Sequence, residues 1–150
     1  MSLYGLLDAL GAAVCGIVPT TAPGLPFSLV DAASEAELVQ ESDRIPSRSV
    51  YIQEGPPIDT GLVSGDPIDE ASYGITVTVL YREADYSGQA YRAAVEDAVA
   101  IISTLRPQAV WASESNDLAI YPDTVVEDLG DVDRVTGRVL RVRMTTRVSV

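Results

Sequence analysis

Residues 75–81 place Ile75, Val77, Val79 and Tyr81 at alternate positions with Thr76 and Thr78 between them, the period of a strand with one buried face. The next six residues, 82–87, read as a turn in which Asp85 or Ser87 is placed to accept the free amides of a first helical turn. Beyond it Tyr91, Ala94, Val95, Ala98, Ile101, Ile102 and Leu105 recur at steps of three and four, which predicts a long amphipathic helix with these residues on its core face and Arg92, Glu96 and Ser103 outside. Pro107 cannot donate to a continuing helical ladder and disfavours helix at Arg106, so the element stops there.

The remainder follows from the same patterns. Residues 2–16 form a helix capped by Ser2, with Leu3, Leu6, Leu7, Leu10 and Val14 on one face and Gly16 as terminator. Residues 17–27 hold Pro19, Pro23, Gly24 and Pro26 and are irregular, followed by a short strand over 27–30. A surface helix or turn is expected over 32–42, and a brief strand over 49–53 with Val50 and Ile52 on one face and Tyr51 on the other. Three prolines and five acids then predict a long loop or arm over 53–72. After the helix, 109–112 and 118–121 read as a hairpin anchored by Trp111 and Tyr121, and Val125, Val126 and Leu129 as a short edge strand within an acidic turn region. The run 138–150 alternates again, with Leu140, Val142, Met144, Val148 and Val150 facing inward and Arg141, Arg143, Thr145 and Arg147 outward. It is suited to pairing in the sheet of residues 75–81, as an edge strand whose arginines deter stray strand addition. The expected fold is α+β: one domain over 1–150, with a small mixed or antiparallel sheet packed against one long central helix, an additional N-terminal helix and long loops.

Composition narrows the chemistry. The 150 residues contain ten Arg but no Lys and no His, which removes Ser-His-Asp and Cys-His nucleophile activation, His-ligated zinc, lysine Schiff bases and the phosphate-loop lysine within one chain. Cys15 is the single cysteine, so no intrachain disulfide is available. Residues 12–16 loosely match a lipid-attachment box, but no positive residue precedes the apolar run, Asp8 interrupts it and Val14 is too large before the cysteine. No apolar run reaches membrane-spanning length, and no membrane association is expected. The net charge of −12 argues against wrapping nucleic acid with the whole surface. That average conceals a division: residues 1–133 carry 22 acids and five Arg, whereas residues 134–150 carry five Arg and no acid. Such asymmetry suits head-to-tail contact between copies, although it equally serves to solvate two faces.

Two acidic motifs invite a chemical reading. Asp59-Thr60-Gly61 is the triplet of aspartic proteases, in which two such carboxylates share a proton. It follows Pro56 and Pro57 instead of an apolar strand and has no second copy in the chain, so protease activity through Asp59 is the remote alternative. Glu127, Asp128, Asp131 and Asp133 could gather oxygen ligands for a hard cation, but they lack the spacing of a calcium loop and read as a solvated acidic turn. Catalysis, metal and cofactor are therefore not expected.

The order of helix, proline-rich connection, strand, long loop, alternating strand, central helix, hairpin and closing strand resembles the tail-terminator (tail-completion) proteins of long-tailed bacteriophages. The likeness is carried by residues 75–81 running into 86–105 and by the closing run 137–150. It implies a structural virion protein, assembled in the host cytoplasm, that forms a homohexameric ring capping the tail tube and joins it to the head or neck connector. DNA would pass through a net-negative lumen without specific binding. The insertion over 53–72 departs from the simplest form of that pattern and leaves another neck or head-completion adaptor, or a baseplate subunit, as the alternative. In a ring each subunit meets its neighbour through unlike surfaces, so Arg138, Arg141, Arg143 and Arg147 are expected to face acids of another copy, among them Asp59, Asp66, Asp69, Glu70, Glu127 and Asp128.

Overall fold

The two alternating runs of the sequence lie side by side. A computed structural model describes residues 3–30, 46–59, 70–106, 117–120, 125–132 and 135–149. In chain order these form helix α1 (Leu3–Cys15), strands β1 (Ser28–Leu29), β2 (Ser49–Asp59) and β3 (Glu70–Arg82), a single 3-10 turn (Glu83–Tyr86), helix α2 (Ala90–Leu105), and strands β4 (Asp117–Ile120), β5 (Val125–Val132) and β6 (Val135–Ser149). The fold is α+β, with one mixed six-stranded sheet in the order β1-β2-β3-β6-β4 and β5 also paired to β6. Among the described strands only β1 and β2 run parallel, and their other pairings are antiparallel.

The register explains the core. Val50, Val79, Leu140 and Val126 stand in one row across four strands, and Ile52, Val77 and Val142 in the next. Directly opposed residues share a face, so these rows make a continuous apolar surface. Against it pack Leu6, Leu10 and Val14 of α1 and Ala90, Ala94, Ile101 and Leu105 of α2, giving one core between the sheet and both helices. The reverse face is not wholly wet: Leu80 and Val139, paired across β3 and β6, are fully buried there, as is Thr78.

Several expectations are corrected. The loop predicted over 53–72 is strand at both ends, because β2 continues to Asp59 and β3 begins at Glu70; residues 60–69, including Asp66 and Asp69, lie outside the described residues. The prolines are tolerated because β1 covers β2 only at Ser49 and Val50, leaving its outer side without a strand partner among the described residues. Proline needs no ladder donor on such an edge, and register shifts fall on either side of Pro57. β6 is not an edge strand: β3 pairs with it from Gly137 to Ser149 on one side, with β5 and β4 sharing the other. Of the hairpin expected over 109–121, the stretch 117–120 is β4, whose partner is β6; Trp111 and Tyr121 lie outside the described residues, as does 32–42.

The helix start also differs. Neither Asp85 nor Ser87 caps α2; its N-cap is Gln89, which makes no side-chain capping bond. The amide of Ala90 instead donates to Glu83 Oε1 at 3.3 Å, and Asp85 is taken by Ser47 and Arg82. Ser87 and Gly88 adopt successive positive φ values of 53° and 81°, the left-handed step that turns the chain from the 3-10 turn into α2.

Candidate assembly surface and the buried arginine beneath it

The buried stripe of α2 is rotated from the one the hydrophobic pattern predicts. Ala90, Ala93, Ala94, Asp97, Ala98, Ile101 and Leu105 face the core, while Tyr91, Val95 and Val99 stand exposed. The cause is Asp97, a charged residue that the apolar periodicity assigns to no face. It is held inside by Arg48, whose Nε donates to Asp97 Oδ2 at 2.7 Å and whose second terminal nitrogen donates to Oδ1 at 3.3 Å.

Arg48 uses every donor it has. One terminal nitrogen donates to the carbonyls of Ala22 and Leu25 at 2.7 and 2.8 Å, and the other also donates to the Thr21 carbonyl at 2.5 Å. The guanidinium lies 5.6 Å from the Phe27 ring centroid and 5.2 Å from that of Tyr86, so its flat faces meet π-electrons and its edge meets oxygen. A lysine, with three donors on a point charge, fills neither role. The Arg48 backbone is equally engaged, with φ at 60°, its amide donating to Leu80 and its carbonyl accepting from Ser28. One residue thereby ties the proline-rich connection, β1, β3 and α2 together.

Tyr81 completes the cluster by donating its hydroxyl to Asp97 Oδ2 at 2.7 Å. Burial pushes the Asp97 carboxyl above its ordinary pKa, and the bonds from Arg48 and Tyr81 oppose that shift without cancelling it. The Tyr81 hydroxyl is pushed well above its usual value, first by burial and then by the Asp97 charge. Tyr86 rises to about 12, mainly through burial, and its hydroxyl has no hydrogen-bond partner among the described residues. Burial likewise raises the Cys15 thiol and so disfavours the reactive thiolate. The cluster is a structural tie: its polar atoms point at one another.

The arginines of β6 do not form one patch. Arg138 stands opposite Tyr81, on the helix side of the sheet, where it pairs with Glu83 at 3.2 Å and lies over the Tyr91 ring at 5.3 Å. Arg141 and Arg143 occupy the reverse face, opposite Thr78 and Thr76. Arg141 is bonded to Glu127 of the same chain at 2.5 Å. Asp128 stands opposite Arg138 in the ladder, and Arg147 opposite both Ser72 and Asp117, with Asp59 next in that row. Glu70 stands opposite Ser149. Within one subunit, then, Arg138 meets Glu83 and Arg141 meets Glu127.

The exposed large hydrophobic residues among those described are Val18, Leu29, Tyr91, Val95 and Val99, and sequence reasoning placed none of them outside. Their signal was available only at α2, where Asp97 among alanines marks the buried side once an arginine is known to meet it. Among the described residues no three acids or cysteine gather into a group fit for a metal ion, and no helix is long and apolar enough to cross a membrane. No protein-family model matches this chain, and no curated protein matches it significantly.

Proposed function

We propose that this protein is a structural subunit that works by joining copies of itself, as the tail terminator of a long-tailed bacteriophage: a ring that closes the tail tube and meets the head or neck connector. The observation that carries the reading is the outer side of α2, where Tyr91, Val95 and Val99 rise at successive turns into solvent although the core beneath is already closed by alanines, Ile101 and Leu105. An exposed apolar stripe on a helix whose other side is buried offers a contact surface to another chain. The α+β fold is of the class that the resemblance implies, and a net charge of −12 suits a lumen through which a polyanion slides without adhering.

In this reading the protein transforms no substrate, and its partners are its own copies, the tail-tube protein and the head or neck connector, in the virion. Negative-stain microscopy and light scattering of the purified protein test it. Rings of sixfold symmetry that cap preformed tail tubes support it. A particle that stays monomeric at high concentration, or a ring that binds the baseplate end of the tail, overturns it.

A further inference from the structure

We draw no further inference here: the strongest candidate, the exposed apolar stripe of Tyr91, Val95 and Val99 along α2, already carries the reading above, and nothing in the structure shows what covers it.

Discussion

Arg48 and Asp97, from the turn just before β2 and the middle of α2, meet as an ion pair with both side chains buried. Burying two charges costs several kcal/mol per ion in desolvation, so the pair is not by itself evidence of extra stability. Its effect is to dictate geometry. Once Asp97 must face inward, α2 has one allowed rotation, and that rotation is what leaves Tyr91, Val95 and Val99 outside.

Removing one member should therefore be severe. Asp97→Ala leaves Arg48 charged and without its carboxylate, and Arg48→Met strands Asp97; each is expected to cost about 3–5 kcal/mol in urea unfolding. The double variant Arg48→Met with Asp97→Leu should lose clearly less than the sum of the two, since no buried charge then remains without a partner. Additive losses would show that the two side chains act independently.

The tyrosines beside this pair make alkaline stability a second readout. Tyr86 is raised from 10 to about 12, and Tyr81 is raised well above 10. An acid whose folded pKa lies above its unfolded value contributes stability that is intact below the unfolded value and lost as pH climbs toward the folded one. Stability should accordingly fall between about pH 10 and pH 12 as the unfolded chain, but not the folded one, ionises at these positions. Ultraviolet titration of tyrosinate should show late ionisation from Tyr81 and Tyr86, with Tyr86→Phe removing its share of that late phase. That same substitution deletes a buried hydroxyl without a partner and is expected to leave stability unchanged or to raise it by about 1 kcal/mol.

Glu96 behaves in the opposite sense. Bonds from the Thr21 hydroxyl and from Arg92 lower its pKa from the usual 4.5. The ionised form is favoured in the folded chain, so its contribution is present above pH 4.5 and lost as pH falls through the depressed folded value. Carboxyl NMR should find Glu96 titrating below its ordinary range. Thr21→Val should return it upward, and a titration unchanged by that substitution would assign the shift to Arg92 alone.

Gly88 offers a local test. Its φ of 81° suits glycine, and a Cβ built there meets nothing within 4 Å, so Gly88→Ala should cost only the backbone strain, about 1 kcal/mol by thermal melting. A double-mutant cycle on Arg141 and Glu127, a pair at the rim of the reverse face, should yield about 0.2–1 kcal/mol of coupling. Near-zero coupling would show that the pair adds nothing to stability.

Sequence periodicity made the elements legible where one face decides them: α1, β3, α2 and β6 all arise from runs whose apolar positions repeat with a single period. It misplaced the α2 stripe because Tyr91 and Val95 score as core until Asp97 is known to be satisfied by Arg48, a contact between distant parts of the chain. It ended β2 at the prolines because local propensity does not reveal that the outer side of that strand lacks a partner. The β6 arginines looked like a single charged edge because one strand's alternation says nothing about its neighbours; β5 supplies Glu127 to Arg141, and the 3-10 turn supplies Glu83 to Arg138.

The place of β6 in the sheet has a kinetic consequence. β3 pairs along its whole length with a strand made only after α2, β4 and β5, so during synthesis one side of β3 waits with its amides and carbonyls unsatisfied. Copies emerging together from one message would meet at that waiting edge, and strand exchange between them is the misfolding hazard this topology carries. Quick docking of α2 onto Arg48, which needs no residue of β6, would limit that hazard by fixing β3 against a helix before its final neighbour arrives.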